Sequence, residues 1–540
     1  MIKHFFFLFL TFTLFSYSNF PSYVKEKSFL LENFDTLNKW IFPENVDLKI
    51  VEEGKEKFIK VNYKFKKEQK EIEFIYNFSY PGFNCERIFF KFKGDGSKNK
   101  IYVWGEYKNQ WYPFVFFELK KNWQKIEFAP TPCYFFYKDF SKIKFVLKNF
   151  EKNENQGEFI LGGIYSTTPE IFFSKFKTQK NNHFNSKIFN TWGALSSLED
   201  ISKKVDILRE LGINLHIFPI SFEIEDKNKL NVELNEICEK IKIVKQKGLL
   251  VGISFYNTPS SDIIKKYENL LLKNENNEYY SSGGCFFSIW HPVAKKIWKK
   301  HIVYALNYLK KKKVLNLIDV VFLCPGEESE ISYNWNHIWA FDEYAIRSYQ
   351  SYLRKLYQNS IKKLNEDWLT NKNSFEEILP PEKFYPDREH WTFLNFYRWS
   401  MLKWCYEITS YVKEVFSPKY FLWLPHTVDS YPQRFYSARF PHFYIWYLKK
   451  FGIIHFAHIS ALDWHTQEDI KIIKPLKITI IGEVDVIPTV ERLEWTFQQS
   501  KKYELEGVYI GVAENLFENN QLNKVGEKCK VLIEEFKKGG

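Results

Sequence analysis

The chain has 540 residues, enough for about one to three domains with sizeable cores. Its 77 Lys and Arg against 65 Asp and Glu leave a net charge of +12, yet the lysines are scattered and mostly alternate with Glu, as in KKEQKEIEF. No dense Arg tract or recognition-helix pattern occurs, which argues against a nucleic-acid partner and for a solvated basic surface. Aromatic residues make up 19%. That excess suits flat, amphipathic ligands such as sugars, and a codon bias toward Lys, Asn, Ile and Phe accounts for it equally well.

At the N-terminus, Lys3 and His4 precede an apolar run over 5–15 that is too short to span a membrane. Polar SYSN follows, so residues 1–18 read as a secretory signal peptide, with an uncleaved anchor as the alternative. No Cys stands directly after the run, and no later segment holds 18 uninterrupted apolar residues. The expectation is a secreted or periplasmic protein with no membrane span after signal removal. Seven Cys, odd in number, widely spaced and without a CxxC pair, argue against a disulfide scaffold and a zinc site. Cys85 and Cys133 are the pair placed to bridge within a first domain.

Residues 27–168 alternate like strands. KFIKVNYKF, RIFFKFKG, KIYVWGEY, WQKIEFAP and KIKFVLKNF are short runs separated by Gly, Asn, Lys and Pro, which predicts an all-β sandwich. LLENFDTLNKW, IYVWGEYKNQWYPF and the W-x-x-I-x-F at 123–128 resemble jelly-roll carbohydrate-binding modules. The resemblance implies a sugar platform of Trp104, Tyr107, Trp111 and Tyr112. Core or edge packing explains each of these singly.

SKFKTQKNNHFNSK (174–187) reads as a linker, and the period then changes. Ile201, Val205, Leu208 and Leu211 repeat at helical spacing, with Ser197 and Asp200 as a start signal and Gly212 as a stop. Continuous apolar runs then alternate with helical segments over 187–540. The strand candidates are 187–192, 214–220, 249–256, 318–324, 420–426, 453–459, 477–483 and 507–513. Apolar strands alternating with helices predict a parallel sheet, and this number of units predicts a (β/α)₈ TIM barrel preceded by the β-sandwich. A doubly wound sheet is the alternative, but no GxGxxG or P-loop follows any strand.

In such a barrel, active residues sit at the C-terminal strand ends. Those ends carry Trp192, then Glu327, Glu328 and Glu330, then His426, then Asp463, Trp464 and His465, then Glu483, and last Glu514. Polar loop residues must follow every strand, so most of these are individually unremarkable. Glu483 differs because it lies inside the apolar run IIGEVDV, where a carboxylate is costly to bury. Two carboxylates across a sugar pocket are what glycoside hydrolysis requires: one protonates the leaving oxygen, the other attacks the anomeric carbon or activates water.

The chain here resembles glycoside hydrolases of the (β/α)₈ clan with acid/base on strand four and nucleophile on strand seven, and within it the family 42 β-galactosidases. The most specific piece is FDEYAIRSYQSYLRKLYQNSIKKLNEDWLTNKNSFEEILPP (341–381), with Leu364, Asn365 and Trp368 forming LN-x-x-W. The resemblance implies a glycosidase (O-glycosyl hydrolase) using a two-glutamate, retaining mechanism on β-linked sugar, with Glu483 as nucleophile. The family's Asn before its acid/base is absent, since Gly326 precedes Glu327. The stretch IDVVFLCPGE also resembles the Gly-Glu site of β-amylase-like barrels, which implies inversion. Strand register makes Glu327 the acid; the Ser-Glu-Ile-x-Tyr pattern makes it Glu330.

Trp192, Trp290, Trp335 and Trp464 are candidate sugar-stacking residues, and His291, His426, His465, Asp463 and Glu514 candidate partners for hydroxyls. The Trp290–His291 pair in SIWHP can equally serve as a staple onto the helix that it opens. No His/Asp cluster has metal-ligand spacing, and no cofactor motif occurs. A non-catalytic carbohydrate-binding protein on a degenerate barrel is the alternative reading.

Overall fold

The computed structural model describes residues 20–538 except 55, 78–85, 108, 129–140, 151–154, 174–183, 185, 196–197, 223–225, 260–264, 281–286, 327–329, 426–434, 454–455, 461–469, 471–472 and 485–486. The proposed signal peptide, most of the proposed linker, and both Cys85 and Cys133 lie outside the described residues.

The alternating N-terminal segment forms β1 (Glu26–Glu32), β2 (Trp40–Ile41), β3 (Val46–Glu53), β4 (Glu56–Lys64), β5 (Glu71–Asn77), β6 (Arg87–Lys93), β7 (Lys100–Tyr107), β8 (Gln110–Glu118), β9 (Gln124–Phe128), β10 (Lys142–Lys148) and β11 (Gln156–Pro169). They make two antiparallel sheets, ordered β3-β4-β11-β6-β9 with β1 beside β11, and β2-β5-β10-β7-β8. Alternate residues of both sheets point into one shared core. Ile72, Phe74 and Tyr76 of β5 are buried, and Phe74 stacks on Phe145 of β10 at 5.6 Å. Each such side chain contributes roughly 1.5–3 kcal/mol of burial.

The second half closes into a barrel of eight parallel strands: β12 (Ile188–Trp192), β13 (Leu215–Phe222), β14 (Leu250–Pro259), β15 (Val320–Leu323), β16 (Tyr420–Trp423), β17 (Phe456–Ser460), β18 (Thr479–Glu483) and β19 (Gly507–Val512). Each lies within three residues, at either end, of a run read from the sequence. The runs are apolar throughout because both faces are buried. Val320 and Phe322 fill the lumen with Leu215, Ile217, Leu422 and Ile481, while Val321 and Leu323 pack outward under the helices.

The helices that follow are α1 (Leu198–Leu211), α2 (Lys227–Gln246), α3 (Pro292–Lys311), α4 (Glu343–Leu356), α5 (Ile361–Trp368), α6 (Arg388–Lys413), α7 (Pro441–Lys450), α8 (Val490–Lys502) and α9 (Lys524–Lys538). The stop signal at α1 acts as its chemistry dictates. Gly212 takes φ +91°, its N–H donates to Arg209 O, and Ile213 N–H donates to Leu208 O, a Schellman closure.

The 26-residue α6 is buried almost all round because it lies between barrel and sandwich. Charged residues cross that junction. Arg398 forks onto Glu86, with Nη2 to Oε2 at 2.7 Å, and both are fully buried. Arg388 Nη1 reaches Glu26 Oε2 at 2.9 Å and its Nε donates to Asp367 Oδ2 at 2.8 Å. Trp391 Nε1 donates to the Glu127 carbonyl at 2.6 Å. The LN-x-x-W motif serves this framework. Asn365 Oδ1 accepts from Lys372 N at 2.8 Å, and Trp368 Nε1 donates to the Tyr357 hydroxyl at 2.8 Å.

Candidate active site

Glu483 ends β18, and its direction follows from its neighbours. A Cβ on Gly482 would stand 2.2 Å from Ser500 Oγ and 3.4 Å from Thr496 Cγ2, so Gly482 faces α8. Alternation then turns Ile481 and Glu483 toward the lumen, where Ile481 belongs to the interior cluster. Register sets Glu483 beside Ser460 on β17 and Tyr509 on β19. Val484 N–H donates to Tyr509 O at 3.0 Å, fixing the strand at that point. The Tyr509 ring is 7% exposed within the lumen cluster.

Strand β15 points Val320 and Phe322 inward, and Cys324 continues the parity. The chain then folds back tightly. A Cβ on Gly326 would lie 2.0 Å from Ser332 O and 2.8 Å from Glu330 O, so no side chain fits there. The returning segment is pinned by Ile331 N–H to Leu424 O and Tyr333 N–H to Ser437 O, each at 2.9 Å. Glu327 and Glu328 lie outside the described residues. Glu330 is buried, and its Oε2 accepts from Arg439 Nη2 at 2.8 Å and Ser332 Oγ at 2.9 Å. Two donors thus engage one of its two carboxylate oxygens. Strands β15 and β18 are fourth and seventh in the closed order, on opposing arcs of the lumen.

Trp192 joins the lumen cluster at the end of β12, its Nε1 donating to Ser254 Oγ at 3.0 Å. His216, which alternates with the lumen-facing Leu215 and Ile217, is fully buried on the helix side of β13, and burial lowers its pKa to about 3. Its Nε2 lies 3.0 Å from the Gly193 carbonyl, which can only accept, so Nε2 carries the proton and Nδ1 accepts from Thr191 Oγ1 at 2.9 Å. Glu514 accepts from Leu195 N–H at 2.6 Å, and its Oε2 occupies the place where a Gly193 Cβ would stand. It braces the loop after β12, in which Gly193 and Leu195 both have positive φ.

The remaining candidates separate. Trp290 lies flat against Tyr333, ring centroids 5.9 Å apart, and packs into the layer outside the barrel. His291 is the N-cap of α3: its Nδ1 accepts from Val293 N–H at 3.1 Å and its ring lies 4.1 Å from that of Tyr344. Trp335 is 46% exposed. His426, Asp463, Trp464 and His465 lie outside the described residues. On the sandwich, Lys144 reaches over Trp111 at 4.8 Å and Trp104 at 5.9 Å, whereas Tyr112 packs against the core. The Tyr107 side chain lies outside the described residues.

Three residues of this region were not singled out from sequence: Tyr509, Ser254 and Arg439. Ser254 is the polar residue inside an apolar strand, and Arg439 is a lone cation in the aromatic stretch FYSARFPHFYIW, so each carried a signal. Tyr509 had only its alternate position in GVYIGV. Among the described residues, no group of three His, Cys, Asp or Glu gathers as a metal site.

No family model matches the chain, and no curated protein matches its sequence. Among solved structures, it is similar to the catalytic domain of a β-amylase from Paenibacillus polymyxa, with TM-score 0.55 and 14% identity over 65% of this chain and 98% of that one. It is also similar to a β-galactosidase from Bacillus circulans sp. alkalophilus, with TM-score 0.50 and 13% identity over 67% of this chain. The chain spans 57% of that β-galactosidase's length. At these identities the likeness is one of fold alone, a TIM barrel.

Proposed function

We propose that the protein is an exported glycoside hydrolase that cleaves β-linked oligo- or polysaccharide with two glutamates. Glu483 acts as the nucleophile, and Glu327 protonates the leaving oxygen. The observation that carries this reading is the inward turn of Glu483 at the C-terminal end of the seventh strand, beside Tyr509. The barrel likeness to a β-amylase and a β-galactosidase supports it. The engagement of Glu330 by Arg439 and Ser332 supports Glu327 over Glu330 as the acid.

The proposed organisation is a signal peptide over 1–18, a carbohydrate-binding-module-like sandwich over 27–168, a linker over 174–187 and a catalytic barrel over 187–540. Trp192 supplies a stacking subsite. A non-catalytic carbohydrate-binding protein is the second reading, favoured by the missing Asn before Glu327. The test is release of nitrophenol from a panel of aryl β-glycosides, run beside a glycan array. Turnover supports the hydrolase. Glycan binding without turnover supports the second reading.

A further inference from the structure

A cleft of about 340 Å³ opens on the outside of the barrel, between the start of α3, the length of α4 and the middle of α6. Among the described residues, four cations line it, Lys295, Arg347, Lys355 and Lys403, and no carboxylate does. Lys295 has Glu407 at 2.7 Å and Arg347 pairs with Glu343, both acids standing outside the lining. The Lys403 ammonium sits 5.4 Å over the Trp399 ring. Burial lowers its pKa, and the nearby charges of Lys295 and Lys355 lower it further against the pull of Glu407.

Two buried donors line the same cleft. Three other hydroxyls of α6 bond back to helix carbonyls: Thr392 to Arg388 O, Thr409 to Cys405 O and Ser410 to Glu407 O. Ser400, only 5% exposed, makes no such bond, and its Oγ is buried without a partner among the described residues. Trp290 Nε1 is likewise buried without an acceptor among the described residues. Trp399, Tyr344 and Tyr352 also line the cleft. Cations beside neutral donors that lack a protein acceptor match an oxyanion, and an aromatic lining suits a sugar.

We propose that this cleft is a second binding site, separate from the lumen, for a saccharide that carries a sulfate or carboxylate group. The saccharide half rests on the glycosidase reading; the oxyanion half stands on the cleft alone.

The test is calorimetric titration of the full chain with dextran sulfate, polygalacturonate and neutral dextran. The first two separate a sulfate from a carboxylate as the anion, and the third reports binding of uncharged sugar elsewhere on the chain. Binding of either polyanion is expected, weakened about tenfold or more in Lys355→Gln/Lys403→Gln. Ser400→Ala, a nearly isosteric change, also weakens it, and covers the case in which the double variant loses its thermal transition. A Lys310→Gln/Lys311→Gln control at the far end of α3 removes the same charge and is expected to bind as the parent does. Binding of neither polyanion, or an equal loss in the control, overturns the proposal. A protein that binds dextran sulfate and hydrolyses nothing keeps this site and fails the hydrolase reading; one that hydrolyses aryl glycosides and binds neither polyanion does the reverse.

Discussion

Arg439 Nη2 lies 2.8 Å from Glu330 Oε2, and both side chains are buried. The pair ties the segment returning from strand four to the segment that precedes α7. Removing one partner of such a pair leaves a buried charge alone, at a cost of roughly 3–5 kcal/mol. Glu330→Ala is therefore expected to lower the thermal unfolding midpoint sharply. Glu330→Gln keeps turnover within about tenfold of the parent, whereas Glu327→Gln loses about 10²–10⁴-fold, the range for a missing acid/base. Steady-state kinetics beside thermal melts separate the two roles, and a Glu330→Gln loss as large as that of Glu327→Gln would transfer the acid to Glu330.

The junction between sandwich and barrel makes a second prediction. Arg398 and Glu86 are buried and bidentate. Burial pushes the Glu86 carboxyl up, but Arg398 and His442 outweigh it and hold it below the ordinary range. Arg398→Met should cost roughly 3–5 kcal/mol in denaturant unfolding, and adding Glu86→Leu should restore most of it. Additive losses would show that the two do not act as a pair.

The same junction sets an acid limit. Burial raises the Asp367 carboxyl, but Arg388 and Lys125 overcome it and hold its pKa below the ordinary value of 3.8. The unfolded chain then binds this proton more readily than the folded one. The stabilisation is fully present above about pH 4 and is lost as pH falls below it toward the depressed folded value. Melting midpoints of the parent should drop more steeply than those of Asp367→Asn on acidification below about pH 4. Parallel curves would refute the assignment.

Trp192 makes a prediction about binding. Its ring lines the lumen and its Nε1 donates to Ser254. If it stacks on substrate equally in the ground and transition states, Trp192→Ala raises KM with little change in kcat. The expected loss is about 1–3 kcal/mol in kcat/KM, of the order that one base–aromatic stacking contact contributes in nucleic-acid binding. A fall in kcat at constant KM would place the ring nearer the chemistry.

Much of this architecture was legible in the sequence because burial on both faces leaves an unmistakable continuous apolar run. IIGE and VVFL are examples, and each barrel strand lies within three residues of its reading. Glu483 stood out for the same reason, as a carboxylate where the pattern demanded an apolar residue. What failed to show was direction. Trp290 and His291 read by position either as rim residues or as a staple onto the helix that they open, and only the structure shows that His291 caps that helix and Trp290 lies against Tyr333. Partners far apart in sequence were equally hidden. Arg439 with Glu330 and Arg398 with Glu86 are separated by 109 and 312 positions (439 − 330 and 398 − 86), and neither spacing nor period reports such contacts.

The most direct test of the role of Glu483 is kcat/KM for Glu483→Gln against the parent on the best aryl β-glycoside of the panel. The two side chains are nearly isosteric, so the fold should hold, as a matching melt would verify. Loss of the carboxylate is expected to lower kcat/KM by about 10³-fold or more. Turnover equal to that of the parent would contradict the two-glutamate mechanism proposed for this barrel.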